Sequence, residues 1–156
     1  MYQERGQDTD AQQALMASFC MHENVVMGVV LGGGLSESVD FGEAKLNGVV
    51  IVGLGLPPPS LERNLMAEFF AGNENGELGQ TMAYNQPAMA RVIQAAGRLI
   101  RSPEDRGVIC LFDPRFERRE FQHFFPAYCQ PRSMRLSEVK TSINSYWLHD
   151  MSARED

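Results

Sequence analysis

The sequence has few of the features that mark secreted or membrane proteins. Its three cysteines, Cys20, Cys110 and Cys129, lie far apart and form no CxxC pair, which excludes a disulfide framework and favours reduced thiols. No apolar run reaches the roughly 18 residues of a membrane span, and the polar N-terminal residues contain no apolar segment typical of a secretory signal. A cytoplasmic location without membrane contact is therefore expected.

Positive charge is also scarce. Fourteen Lys and Arg residues against 20 Asp and Glu give a formal net charge of −6. A protein that only coats nucleic acid usually has a basic stripe and a high pI, so this class is disfavoured. A motor domain stays compatible, because it can hold phosphates with a few backbone amides and hydroxyls. The three histidines are scattered without metal-ligand spacing, so no metal site is predicted.

Three short apolar runs rich in β-branched residues predict strands at 25–31, 49–56 and 107–112. They lack in/out alternation, which is typical of strands buried on both faces of a parallel sheet. An added strand near Tyr2 would enlarge this small sheet. Helical spacing predicts helices near 10–22, 60–71, 86–101, 116–125 and 136–149, and a polar loop at 72–79. Strands alternating with helices indicate an α/β layered domain with right-handed crossovers.

Local signals support the predicted helix ends. Asp8 or Asp10 is suited to cap the first helix and Ser60 the second, whose apolar face is Leu61, Leu65, Met66, Phe69 and Phe70. Gly72 fits a C-cap, and Pro87 fits the first turn of the third helix. After Pro126 the composition changes. We therefore predict a main domain at 1–130 and a linker with a terminal helix at 131–156.

The predicted helix at 86–101 carries a polar stripe opposite its apolar face. Spacings of three, four and three place on that stripe the residues Arg91, Gln94, Arg98 and Arg101. The stripe is either a solvated basic face or a phosphate site, since arginine forks match phosphate oxygens. Gly97 costs about 1 kcal/mol relative to alanine in a helix, which indicates close approach by backbone or a ligand, or tight packing on the sheet.

A glycine triplet, Gly32–Gly34, follows the first predicted strand. The carboxyl ends of parallel strands are where α/β proteins place ligands, and glycines let backbone N–H groups converge on an anion. A flexible connector is the alternative. The sequence contains no GxxxxGK[ST], so this is not a Walker A loop.

The segment Gln94-Ala-Ala-Gly-Arg-Leu-Ile-Arg101 resembles motif VI, QxxGRxIR, of DinG/XPD-type superfamily 2 DNA helicases. This resemblance implies a RecA-like three-layer fold with a mostly parallel sheet flanked by helices. It implies that Arg98 and Arg101 are catalytic arginine fingers on the γ-phosphate of ATP. Gln94 would sense the nucleotide, and Gly97 would lie at the ATP site.

The segment Gly33–Asp40 resembles motif V of the same family. Carried over by position, Gly33, Gly34 and Ser36 are expected to bind DNA, whereas Glu37 and Asp40 lie on the ATP side. The sequence departs from the family at Ser38, where the family usually has glycine. If this position needs a positive φ, serine would strain the loop.

Together these motifs resemble the second RecA-like domain of an ATP-dependent DNA helicase. The resemblance implies single-stranded DNA as partner, 5′-to-3′ movement, a role in DNA repair and a bacterial, nucleoid-associated location. ATP and Mg²⁺ would be bound mainly by a first RecA-like domain in cis, where the family's iron–sulfur cluster also belongs, so no cluster is expected in this chain. The chain alone is expected to lack ATPase activity, because no Walker lysine is present.

Two other interpretations stay open at the level of sequence. The chain is alternatively a non-catalytic RecA-like interaction or regulatory module, or a small independent phosphate-binding α/β protein.

Asp113 also has two interpretations. Asp113 resembles the family's D-x-R-F strand end, where it would orient an arginine of motif VI, or it simply ends the strand in a turn.

Overall fold

A computed structural model describes residues 1–4, 6–37, 46–72, 76–102, 104–127 and 129–152. In chain order, its elements are α1 (Thr9–Met21), α2 (Gly34–Glu37), β1 (Gly48–Val52), α3 (Leu61–Ala71), α4 (Gly76–Gln80), a π-helical turn (Thr81–Asn85), α5 (Gln86–Ala96), β2 (Val108–Phe112), a 3-10 turn (Pro114–Glu117), α6 (Arg119–Gln122) and α7 (Leu136–Ser152). The chain forms two compact units, Met1–Phe116 and Glu117–Asp156. The boundary drawn on composition at residue 130 stays a prediction.

The first two long helices begin where their capping residues predict. The Asp8 carboxylate accepts a hydrogen bond from the Ala11 N–H at 2.8 Å and so caps α1. The Ser60 hydroxyl accepts one from the Arg63 N–H at 3.3 Å and caps α3. At the other end of α3, Gly72 has a φ of 53°, which favours glycine. These predictions are confirmed because capping depends on local chemistry alone.

Two of the three predicted strands form and pair in parallel. β1 and β2 run in register from Gly48 opposite Val108 to Val52 opposite Phe112. The Gly53 N–H donates to the Phe112 carbonyl at 3.1 Å and extends the ladder by one bond. β1 ends there, before the predicted residue 56, because Gly53 takes a φ of 82° that no extended strand adopts.

The strand predicted at 25–31 is wrong. This segment forms only an isolated parallel bridge between Gly28 and Tyr2, so the added strand expected near Tyr2 is reduced to that bridge. Val26 and Val30 are 83% and 54% exposed. Within the described ranges, and apart from the turn bond from Gly33 N–H to Val30 O, the hydrogen bonds to this segment's backbone come from Met1–Gln3, and so short a partner cannot build a ladder.

The prediction that the sheet is buried on both faces is also wrong for β1. Ile51 is 4% exposed, whereas its neighbours Val50 and Val52 are 64% and 79% exposed. α5 packs against β1 and supplies the one covered face. Among the described residues, the other face of the strand lacks a covering helix, so apolar side chains predicted to be core lie at the surface.

The loop predicted at 72–79 is helical from Gly76 onward. α4, the π-helical turn and α5 follow one another without a break. Gly79 permits this arrangement, because a Cβ there would lie 2.2 Å from the Ala67 carbonyl oxygen of α3. The prediction failed because polar, glycine-rich composition indicated a loop, whereas the glycine serves close helix packing.

The π-helical turn lies directly before Pro87, which is in the first turn of α5 as predicted. Proline has no N–H, so the Ala83 carbonyl four residues earlier loses its α-helical donor. The Arg63 guanidinium of α3 replaces it and donates to Ala83 O at 2.9 Å. The Gln86 N–H reaches back five residues to Thr81 O, which is the π-type bond.

α5 ends five residues before the predicted residue 101. After Ala96 the chain closes two i→i+3 bonds, from Arg98 N–H to Ala95 O at 3.2 Å and from Leu99 N–H to Ala96 O at 3.1 Å. The core of the unit lies along this helix and turn. The buried residues of this helix and turn are Ala88, Met89 and Val92, each 0% exposed, and Leu99, 4% exposed. The apolar period of α5 is thus confirmed up to the turn.

In the second unit, α6 occupies part of the helix predicted at 116–125, and α7 matches the one predicted at 136–149. The Glu138 carboxylate accepts a hydrogen bond from the Arg135 N–H at 3.0 Å at the start of α7. The Ser133 hydroxyl donates to Glu117 within the same unit. In the part of the chain that is described, no helix combines the length and apolar character needed to span a bilayer.

Candidate functional site

The two segments that carry the predicted site come together in the structure. α2, which begins at Gly34, packs against α5. Two residues before the start of α2, Gly32 lies against the side chain of Arg91 on α5. The glycine triplet therefore lies against α5, the helix that also carries the first residues of the motif VI segment.

The glycine triplet forms a tight turn. The Gly33 N–H donates to the Val30 carbonyl at 2.9 Å, and Gly32 has a φ of 79°. A positive φ at the third residue of a four-residue turn is the type II geometry, which favours glycine at that position. The glycine triplet is thus an ordered turn that exposes backbone at a fixed place, and not a flexible connector.

Each glycine of the triplet is approached by one long polar side chain. A Cβ on Gly32 would lie 2.9 Å from Arg91 Nε, one on Gly33 3.6 Å from Gln3 Oε1, and one on Gly34 2.8 Å from Gln12 Oε1. At Gly32 and Gly34, any larger residue would collide with Arg91 or Gln12. The triplet is therefore a close approach of backbone to side chains from three different parts of the unit.

Gln3 and Gln12 were not predicted from the sequence. Gln3 Oε1 accepts a hydrogen bond from the Val30 N–H at 3.1 Å. Gln12 Nε2 donates to Gln7 O at 2.8 Å, so its amide oxygen is the atom that faces Gly34. No periodicity marks these residues, because they act through tertiary contact from the N-terminal segment and α1.

The remaining motif V residues are placed only in part. The backbone of Ser36 and Glu37 lies in α2, and the preceding Leu35 is buried at 3% exposure. Asp40 and Ser38 lie outside the described residues. The roles predicted for Gly33, Gly34, Ser36, Glu37 and Asp40 stay predictions.

The four residues of the predicted polar stripe do not lie on one helix. Arg91 and Gln94 lie on α5, whereas Arg98 lies in the turn after it and Arg101 beyond that turn. Gln94 and Arg101 are exposed, and Arg98 is half-buried. The stripe predicted from a helix to residue 101 is therefore wrong at its C-terminal end, because the helical period stops at Ala96.

A carboxylate fixes the backbone at Arg101. Asp105 Oδ2 accepts hydrogen bonds from the N–H of Arg101 at 2.9 Å and of Ser102 at 2.8 Å. The Asp105 N–H in turn donates to Ser102 O at 3.1 Å, which closes a turn. Asp105 was not predicted from the sequence, although Ser102-Pro-Glu-Asp is a typical turn composition. Asp105 therefore holds the segment that carries the second predicted arginine finger.

Gly97 is exposed and has a φ of −66°, which any residue adopts. A Cβ there would meet, among the described atoms, only carbonyls of its own preceding turn: Ile93 O at 3.2 Å and Gln94 O at 3.6 Å. Tight packing of Gly97 on the sheet, one of its two predicted roles, is therefore wrong. Close approach by a ligand stays a prediction.

At the carboxyl end of β2, Asp113 forms a bidentate pair with Arg115. The two carboxylate oxygens accept from Arg115 Nε at 2.9 Å and Nη2 at 2.6 Å, and Oδ1 also accepts the Arg115 N–H at 2.9 Å. This hydrogen bonding raises the pKa of Arg115. The strand-ending turn interpretation of Asp113 is confirmed, and orientation of a motif VI arginine stays a prediction.

Within the described ranges, no three His, Cys, Asp or Glu side chains lie close enough to hold a metal ion. Cys110, on β2, is partly buried, and this burial raises the pKa of its thiol. A raised pKa disfavours the thiolate, so the Cys110 thiol is a weak nucleophile.

The family model described as "Helicase C-terminal domain" matches residues 1–132. Among characterised proteins, the regulator of telomere elongation helicase 1 of Bos taurus is 33% identical over 109 residues, 65% of this chain and 9% of that protein. The ATP-dependent DNA helicase XPD of Sulfolobus acidocaldarius is 30% identical over 106 residues, 66% of this chain and 19% of that protein. The chain thus spans less than a fifth of the length of these two relatives.

A solved XPD helicase structure is similar in fold, with a TM-score of 0.62 at 24% identity. The match covers 80% of this chain and 22% of the helicase chain. The predicted α/β, RecA-like fold is confirmed by this likeness together with the parallel pairing of β1 and β2.

Proposed function

The chain belongs to the helicase C-terminal domain family, and from this we propose that it forms the second RecA-like motor domain of an ATP-dependent DNA helicase. The observation that carries the proposal is the packing of the glycine turn on the motif VI helix. In a motor domain, the residues that contact nucleic acid and those that contact the nucleotide have to belong to one rigid body. A change at the nucleotide can then move the nucleic-acid contact. The contact between Gly32 and Arg91 joins the glycine turn to the helix that carries Gln94, and it supports this arrangement.

The ATP side of the proposal consists of Arg98 and Arg101 as arginine fingers, with Gln94 as nucleotide sensor. Guanidinium groups stay charged and stabilise the charge that develops on the transferred phosphoryl group. Both arginines follow the end of α5, and Asp105 fixes the backbone that carries Arg101. Gly97, Glu37 and Asp40 would complete this side of the site.

The nucleic-acid side consists of Gly33, Gly34 and Ser36 at the glycine turn, facing the phosphates of single-stranded DNA. Backbone N–H groups and hydroxyls are common phosphate ligands and need no basic surface, which suits a chain of net charge −6. Movement in the 5′-to-3′ direction, a role in DNA repair and a bacterial cytoplasmic location complete the proposal by family similarity.

The nucleotide site would be completed by a first RecA-like domain in cis. That domain would supply the Walker A lysine and the Walker B carboxylate that holds Mg²⁺, since the present sequence contains no GxxxxGK[ST]. When bound, Mg²⁺ neutralises charge on the β- and γ-phosphates. The residues of this chain would then close the cleft on the γ-phosphate.

The test joins the chain to a first RecA-like domain that carries a Walker A lysine and measures DNA-stimulated ATP hydrolysis. Arg98→Ala and Arg101→Ala are each expected to lower kcat by about 10³-fold or more, with little change in KM for ATP. Arg132→Ala, an exposed arginine of the second unit, is the matched control and should leave turnover unchanged. Unchanged turnover in the two motif VI variants would contradict the proposal.

One observation favours the alternative, a non-catalytic interaction module. The apolar face of α3 is at the surface, with Leu61, Leu65 and Phe69 being 72%, 56% and 80% exposed. Exposed apolar patches commonly mark protein contacts. The two functions are separated by the same assay, because only the motor requires Arg98 and Arg101.

A further inference from the structure

The atoms nearest to the Cβ position of Gly32 belong to a cationic side chain, that of Arg91. A Cβ on Gly32 would lie 2.9 Å from Nε, 3.0 Å from Cζ and 3.1 Å from Cδ of Arg91. The end of the Arg91 side chain thus fills the space that a side chain at position 32 would take. The positive φ of Gly32 also favours glycine at this position.

The turn contributes no cation of its own. The stretch Val30–Glu37 reads Val-Leu-Gly-Gly-Gly-Leu-Ser-Glu, with no Lys or Arg. Backbone N–H groups alone bind a phosphate less strongly than N–H groups next to a guanidinium, because charge-assisted hydrogen bonds are roughly twice as strong as neutral ones. Arg91 is half-buried and its backbone is held in α5, so it delivers its charge from a rigid element.

Arg91 comes three residues before the segment Gln94–Arg101 that carries the predicted arginine fingers. Its guanidinium lies instead against Gly32, in the turn whose glycines are predicted to face DNA. This position favours the DNA side of the site over the ATP side.

We propose that Arg91 binds a backbone phosphate of single-stranded DNA at the glycine turn, a role that rests on the DNA-facing half of the proposed function. The guanidinium supplies the charge, and the turn supplies the close backbone. Gln12, which packs on Gly34 from α1, is a positioning residue that keeps the turn in place beside Arg91. The contact is to phosphate and carries no base preference.

The test measures binding of a fluorescein-labelled oligo(dT) to the whole chain by anisotropy over a series of NaCl concentrations. Arg91→Gln is expected to weaken binding about tenfold at the lowest salt, as for one charged hydrogen-bonded contact. It should also reduce the slope of log K against log salt by about 0.7, the value for one phosphate on a single strand. Arg91→Lys should keep the slope but lose part of the affinity, because an ammonium has no fork.

The matched control is Arg132→Gln, which removes the same charge from an exposed position in the second unit. It should change neither affinity nor slope. Equal effects of Arg91→Gln and Arg132→Gln would overturn the proposal in favour of a general charge effect. A lower melting temperature of Arg91→Gln with an unchanged salt slope would overturn it in favour of a packing role.

A second arm separates this proposal from the proposed function. Binding of a fluorescent ATP analogue is measured on the chain joined to a Walker A domain, where Arg91→Gln should leave the nucleotide affinity unchanged. Weaker nucleotide binding with unchanged oligo(dT) binding would assign Arg91 to the nucleotide and overturn the inference. No oligo(dT) binding by the parent chain would overturn the DNA-facing proposals together, while the kcat test on Arg98 and Arg101 still decides the ATP-facing ones.

Discussion

α3 and α5 have similar apolar patterns in the sequence and opposite fates in the structure. α5 buries Ala88, Met89 and Val92 completely. α3 buries none of its residues, and four of the five residues of its predicted apolar face are exposed, Phe70 being half-buried. The period of a helix therefore identifies which side chains share a face, but the neighbours that cover the face come from elsewhere in the fold.

The packing of α3 explains the difference. α3 contacts α4 and the π-helical turn with its other side, through the Ala67 carbonyl against Gly79 and the Asn64 amide oxygen, which accepts from the Tyr84 hydroxyl at 2.9 Å. This contact uses small and polar groups. In the described structure, the large apolar side chains of α3 point away from it and lack a covering element.

The largest effect is expected when one methionine is replaced in each of the two helices. Met89→Ala should lower the free energy of unfolding by about 2–5 kcal/mol, because a fully buried side chain is removed and a cavity remains. Met66→Ala on α3, where the side chain is 44% exposed, should cost less than about 1 kcal/mol. Chemical denaturation measures both. Equal losses would show that α3 is as buried as α5.

A second test probes the contact between α3 and α4. Gly79→Ala should destabilise by about 1–3 kcal/mol, since the new methyl group meets the Ala67 carbonyl oxygen of α3. Gly76→Ala is the control, because no described heavy atom lies within 4 Å of its Cβ position. In a helix this change should be neutral or stabilising by up to about 1 kcal/mol. A harmless Gly79→Ala would contradict the close approach of the two helices.

A third test addresses the link from α3 to the segment before α5. Arg63→Gln should cost about 1–2 kcal/mol, because the Ala83 carbonyl loses its guanidinium donor and Pro87 cannot replace it. Arg118→Gln is the control, since that arginine forms an exposed ion pair with Glu120 at 3.7 Å, and exposed pairs contribute little. Thermal unfolding of both variants decides whether Arg63 stabilises the π-helical turn.

The smallest effect is expected on the exposed face of α3. Phe69→Gln removes a side chain that is 80% exposed, so the free energy of unfolding should change by less than about 0.5 kcal/mol. A loss of several kcal/mol would mean that Phe69 is covered in solution. Sedimentation of parent and variant would then show whether a second molecule provides the cover.

Much of the local structure could be predicted from the sequence. Asp8 and Ser60 cap their helices, Gly72 ends α3, and the two β-branched runs pair as parallel strands. These features depend on neighbours in the chain or on composition. The segment at 25–31 failed because β propensity requires a pairing partner, and its bridge to Tyr2 is the pairing found in the described structure.

The residues of the candidate site likewise divide into those that could be predicted from the sequence and those that could not. Gly33, Gly34, Gln94 and Arg98 could be located from the sequence, because a motif is a fixed spacing of residue types along the chain. Gln12 and Asp105 were missed, since each acts by a hydrogen bond or contact that no periodic pattern reports. Gly32 was seen as part of a triplet, but its need for a positive φ and for room beside Arg91 was not.

The sequence by itself determined most of the segments that become helix or strand and the residues that resemble helicase motifs. Only the tertiary structure decided that α5 ends at Ala96, that α3 leaves its apolar face uncovered, and that Arg91 lies on Gly32. The physical reason is the distance along the chain over which each kind of interaction acts. Capping and backbone propensity act over a few residues, whereas burial and the meeting of a guanidinium with a glycine turn depend on segments about 60 residues apart.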